Sequence, residues 1–69
     1  MVSLRGARIP VKGILTQEQE RRGYRLFESE DFVELYHLGE CVGAFLASVK
    51  PWTLRAAADR HWAYEIRMR

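Results

Sequence analysis

Cysteine and proline are nearly absent from this sequence, long apolar runs are missing, and neither sign of charge dominates. Cys41 stands alone among 69 residues, so no disulfide can form within the chain. A lone cysteine suits a reducing compartment, and a cytoplasmic protein is expected. Pro10 and Pro51 are the only two prolines, which excludes a proline-rich spacer. No apolar stretch approaches the ~20 residues of a membrane span. Arg5, Arg8, Pro10, Lys12 and Gly13 interrupt the first fifteen residues, leaving no room for the ~7–15-residue core of a signal peptide. The expectation is a complete polypeptide, residues 1–69 forming one small domain, with no membrane contact.

Metal-ligand chemistry is equally sparse. A zinc site takes about four Cys, His or carboxylate ligands. One cysteine and two histidines, with neither C-x-x-C nor H-x-x-x-H spacing, fall short, and no metal or other cofactor is expected. The stretch Gly6 to Gly13 misses the spacing of a phosphate-binding loop and lacks its Ser or Thr. His37 and Cys41 form a candidate thiol–imidazole pair, but strand alternation sends them to opposite faces. Glu34 lies between Phe32 and Tyr36, where enclosure by rings would raise its pKa for acid or base work, but the leading expectation is a face edge where it meets solvent or an arginine. It has no second carboxylate and no nucleophile beside it. A chain this short also has little room for a ligand cleft of ~300 Å3 or more. No catalytic role and no small-molecule substrate are expected.

What the chain does contain is 48% hydrophobic residues, arranged with clear periodicity. Thr16-Gln17-Glu18-Gln19 reads as a capping box opening a short helix, which Gly23 ends. From Tyr24 the period changes to two. Residues 24–28, 32–37 and 40–46 read as three strands, joined by the polar turn Ser29-Glu30-Asp31 and the tight turn Leu38-Gly39. Pro51 fits the first turn of a helix, and Leu54, Arg55 and three alanines carry it onward. Residues 64–69 fit either continued helix or a fourth strand, and the Glu65–Arg69 spacing favours helix. Residues 1–15 are expected to be a flexible arm or an edge strand. The fold class is therefore α+β: a short N-terminal helix, a three-stranded antiparallel β-meander, and a C-terminal helix packed on one face of the sheet.

If His37 pairs with Glu40, Leu35 faces Val42 and Val33 faces Ala44, giving an aliphatic face for the helix. The opposite face then carries Phe32, Tyr36 and Phe45, with Tyr24 a further candidate. A sheet with two apolar faces needs two covers. The second cover is either the segment with Ile9, Val11, Ile14 and Leu15, or another protein, and a two-fold homodimer is the simplest case. Phe32, Tyr36 and Phe45 are thus the candidate protein interface. Charge offers an alternative. Residues 1–25 carry +4, 26–49 carry −5, and 50–69 carry +3, and nine of the eleven basic residues are arginine. Arginine suits phosphate contact, so Arg55, Arg60 and Arg67 on the C-terminal helix are the candidate contacts to nucleic acid. No recognition-helix, zinc-finger or RNA-binding signature accompanies them. The leading expectation is a non-enzymatic binding module acting through protein–protein contact or self-association. A small nucleic-acid-binding or regulatory protein is the alternative.

Overall fold

A computed structural model describes residues 8–68. The elements are β1 (Ile9–Val11), α1 (Gln17–Arg21), β2 (Tyr24–Glu28), β3 (Phe32–His37), β4 (Glu40–Leu46) and α2 (Pro51–Arg67). Sheet order follows chain order, β1-β2-β3-β4, and every pairing is antiparallel. The class is α+β as expected, but the meander has four strands rather than three. The added strand is β1, which pairs Ile9 with Glu28 and Val11 with Leu26. Pro10 does not prevent this. Gly23 accepts from the Leu38 N–H and Ser29 donates to Phe32, so the odd residues of β2 bond to β3. The even residues bond to β1, and Pro10, opposite Phe27, turns its missing N–H away from the sheet.

The capping box forms as the sequence predicts. The Gln19 N–H donates to Thr16 Oγ1 at 3.1 Å, and the Thr16 N–H donates to Gln19 Oε1 at 3.0 Å. Gly23, at φ 98°, turns the chain from α1 into β2. A helix of five residues is too short to stand alone. Gln19 docks it: its buried amide donates to the Arg55 carbonyl at 3.0 Å and to Asp59 Oδ1 at 2.8 Å, both on α2. Helix α2 runs through to Arg67, so the alternating tail continues the helix.

Residues of α2 and of the segment before α1 close the core over one face of the sheet. Leu15, Tyr24, Leu26, Val33, Leu35, Leu54 and Ala58 are buried, with Val11, Ile14, Val42, Phe45, Val49, Ala57 and Trp62 packed around them. Ile14 and Leu15 therefore join the helix side; they do not cover the aromatic face as the sequence allowed.

The pairing of β3 with β4 departs from expectation in a way that moves side chains between faces. His37 and Glu40 pair across Leu38-Gly39, as expected. Tyr36 then pairs with Cys41, but Leu35 pairs with Gly43, leaving Val42 as an extra residue in a β-bulge. Beyond the bulge the alternation is reversed: Val33 faces Phe45 and Glu34 faces Ala44. Phe45 is consequently on the helix side and Ala44 on the open side, each opposite to its expected place. Burial explains the exchange, because the bulge brings a phenyl ring under α2 in place of a methyl group. Tyr24 is likewise on the helix side, fully buried.

Candidate interaction surface

The face of the sheet away from α2 lies outside the core cluster. It displays Arg25, Phe27, Phe32, Glu34, Tyr36, Ala44 and Leu46, with Phe32 and Leu46 exposed. Of the three expected interface residues, Phe32 and Tyr36 are here and Phe45 is not. Phe27 takes its place, meeting Tyr36 edge to face with ring centroids 5.4 Å apart. The sequence signal for Phe27 existed in the alternation of 24–28. It depended on the turn: Ser29 N–H donates to Phe32 O, so Glu30-Asp31 alone forms the turn, one residue shorter than expected.

Arg8 reaches across this face. Its Nε donates to Glu34 Oε1 at 2.6 Å, and its guanidinium lies 5.9 Å from the Tyr36 ring centroid. The Tyr36 hydroxyl donates to the same carboxylate oxygen at 3.2 Å. These bonds to the charged form, that from Arg8 foremost, hold Glu34 below the ordinary carboxylate range against the opposing effect of burial. Glu34 thus meets an arginine at the face edge, as expected, and the raised pKa of a carboxyl enclosed by rings does not arise. Burial, and then the bond to Glu34, push the Tyr36 hydroxyl up. Arg8, Arg25, Phe27, Tyr36 and Gly39 line an open depression of about 350 Å3.

The two edges of the sheet differ sharply. β1 has three residues, one of them proline. β4 has seven, with no Lys, Arg or Pro, and Glu40 is its only charge. Its single neighbour among the described residues is β3. The Ala47 N–H donates to Asp31 O, so alternation turns the backbone groups of residues 45 and 47 toward β3 and those of Ala44 and Leu46 outward. Beside this edge, Val42 and Phe45 of β4 face Ala57, Arg60, His61 and Tyr64 of α2 across a groove of about 390 Å3.

Both histidines lie in a ring cluster between sheet and helix. The Tyr24 hydroxyl and His61 Nδ1 share a hydrogen bond of 2.7 Å, and His61 Nε2 lies 3.7 Å from Glu65 Oε2. His37 stacks on Tyr24 with centroids 4.3 Å apart and donates from Nε2 to the Arg22 carbonyl at 3.0 Å. The Arg22 guanidinium covers Trp62 at 4.7 Å. A tyrosine–histidine–carboxylate array can relay protons when its hydroxyl meets substrate. Here the Tyr24 side chain has no exposed surface, and burial raises its pKa. The array joins sheet to helix. Cys41 is exposed on the other side of the hairpin from buried His37, and its thiol donates to Gly43 O at 3.6 Å. No group of three His, Cys, Asp or Glu among the described residues is placed to hold a metal ion.

Of the candidate phosphate contacts, Arg55 is engaged inward while Arg60 and Arg67 stay exposed. Arg55 is half-buried and donates from Nη1 to the Ile14 carbonyl at 3.2 Å, a strut between α2 and the loop before α1. Arg60 and Arg67 are exposed, two turns apart on α2. Among the described residues no helix is long and apolar enough to cross a membrane. No protein-family model, curated protein or solved structure matches this chain.

Proposed function

We propose that this protein is a non-enzymatic binding module that acts through protein–protein contact in a reducing, cytoplasmic setting, and that it docks its partner on the free edge of β4. The partner segment is an extended, largely apolar strand. One observation carries the reading: a seven-residue edge strand without a basic residue or proline, with outward backbone groups at Ala44 and Leu46. Natural sheets usually blunt such edges with charge, proline or shortness, as β1 does here. An unblunted edge is a template for strand addition, in which backbone hydrogen bonds supply affinity and side-chain pockets supply selectivity. The groove between β4 and α2 is the pocket, apolar at Val42, Phe45 and Ala57.

The experiment is a titration of isotopically labelled protein with an acetylated, amidated peptide of alternating threonine and valine, followed by amide NMR. Strand addition moves the Ala44 and Leu46 amides first, and protects them from hydrogen exchange. Shifts confined to Phe27 and Tyr36, or no shift at all, would refute docking at β4.

A further inference from the structure

We infer that the face of the sheet away from α2 binds single-stranded nucleic acid, at a site centred on Arg25 and Phe27 of β2. This is independent of the docking edge at β4. Two hollows share these residues. One, of about 270 Å3 beside β1, is bounded also by Pro10, Lys12 and Glu20. The other is the depression of about 350 Å3 that Arg8 and Tyr36 border. Arg25 stands directly opposite Tyr36 in the register of β2 with β3, and is exposed. Its Nη1 donates to the carbonyls of Glu20 at 2.9 Å and Tyr24 at 2.7 Å. Carbonyls hold the guanidinium in place without neutralising it, and no carboxylate pairs with Arg25 among the described residues. Its Nε and Nη2 groups remain for a ligand, a planar fork that suits bidentate contact with phosphate.

The surrounding charges and rings narrow the ligand. Lys12 adds a second exposed cation at the first hollow, against the single carboxylate of Glu20. Glu34, on the same face, is already taken by Arg8 at 2.6 Å. The balance favours an anion at Arg25. Phe27 and Tyr36 are half-buried and stand outside the core cluster, their rings edge to face at 83°. Rings beside a fixed cation on an antiparallel sheet give unpaired bases a surface to stack on, while the cation takes the phosphate between them. Two hollows that share one arginine match two successive bases joined by one phosphate. A duplex keeps its bases stacked inside and offers phosphate alone. A phosphorylated side chain brings an anion and no base. Neither makes use of the rings.

Fluorescence anisotropy tests the inference, with labelled oligo-dT and oligo-U of about ten nucleotides and a dA–dT duplex of the same length, at ~50 mM salt. The expected result is that both single strands bind more tightly than the duplex, and the tighter of the two identifies DNA or RNA as the preferred strand. Phe27→Leu keeps an apolar side chain and removes the stacking surface, and should weaken single-strand binding roughly 5- to 150-fold. Arg25→Gln should weaken it too, and should lower the log–log salt slope by about 0.7, the share of one phosphate on a single strand. Arg67→Gln, on exposed α2, should do neither. The two site variants change separate side chains on the outer face, so if one fails to fold the other still decides. No binding of either single strand overturns the inference, as does equal affinity for the duplex. Equal losses for Arg25→Gln and Arg67→Gln would show diffuse attraction in place of a site, and also overturn it. None of these results bears on the response of the Ala44 and Leu46 amides to the threonine–valine peptide, so docking at β4 stands or falls separately.

Discussion

Leu35 sits at the centre of the core, 1% exposed, between the sheet and Leu54 and Ala58 of α2. Truncation there leaves a cavity that so small a chain cannot refill from a second layer. Leu35→Ala should lower stability by about 2–5 kcal/mol, read from the urea midpoint, and an unchanged midpoint would contradict the core assignment. Tyr24 and Glu34, whose pKa values are shifted in opposite directions, each make stability depend on pH. Tyr24 has its folded-state pKa raised, foremost by burial, so its contribution is complete below its ordinary pKa of 10.0 and is lost as pH rises through the folded value. Thermal unfolding should therefore move to lower temperature in alkali, and Tyr24→Phe should flatten that limb. Glu34 behaves in the opposite sense. Its pKa is depressed, mainly by Arg8, so its contribution is present above the ordinary value of 4.5 and is lost as pH falls through the folded one. Arg8→Ala should raise the Glu34 midpoint in a carboxyl NMR titration. The effect on stability should be small, because Arg8 is half exposed and the pair is screened.

Among the elements, the β3–β4 turn holds the least favourable backbone. Leu38 and Gly39 both have positive φ, 53° and 88°, as a two-residue hairpin turn of the primed type requires. Glycine accepts this readily, whereas leucine is held there by its contact with Gly23 and by the pairing of the strands. Leu38→Asn should be stabilising, recovering part of the roughly 1–2 kcal/mol that a left-handed residue costs. A lower unfolding midpoint would show that the Leu38–Gly23 contact outweighs the backbone. At the other end, α1 depends on its cap. Thr16→Ala removes one side of the capping box and should cost about 1 kcal/mol, with amide exchange increasing first at Gln19. Because Gln19 also ties α1 to Arg55 and Asp59, fraying should extend to the middle of α2.

At the scale of the whole molecule, the fold is one-sided. Among the described residues, the seven buried apolar side chains lie on the α2 side of the sheet, while the other face keeps Phe27, Phe32, Tyr36 and Leu46 in reach of solvent. The charge blocks of the sequence become regions of this shape. The acidic residues 28–40 surround the β2–β3 and β3–β4 hairpins, while Arg60 and Arg67 are exposed on α2, Arg60 lining the groove beside β4. With Arg55 committed to Ile14, α2 offers two separated arginines rather than a patch. Replacing Arg60 and Arg67 with Ala should therefore lower retention on a heparin column no more than replacing two exposed basic residues elsewhere, Lys12 and Arg21. A large loss of retention would revive contact with phosphate along α2.

The secondary structure was legible in the residues because it is set by neighbours close in the chain. Thr16 and Gln19 make a cap whatever lies beyond them, Pro51 opens a helix, and alternation in 24–28 and 32–37 marks strands. The pairing of His37 with Glu40 followed from the two-residue turn between them. Strand β1 was weaker, since three residues with a proline form a strand only where β2 offers its even-numbered groups. What the chain order could not decide was which face each ring occupies. A side chain changes face with a shift of one residue, and two such shifts occur here: the turn at Glu30-Asp31 is one residue shorter than its composition implies, and the bulge at Val42 adds one residue to β4. Both are settled by long-range packing, the second by the burial of Phe45 under α2. For the same reason the sequence pointed to an interface through Phe32, Tyr36 and Phe45, whereas the folded chain sends Phe45 inward, brings Phe27 out, and leaves β4 as the open edge.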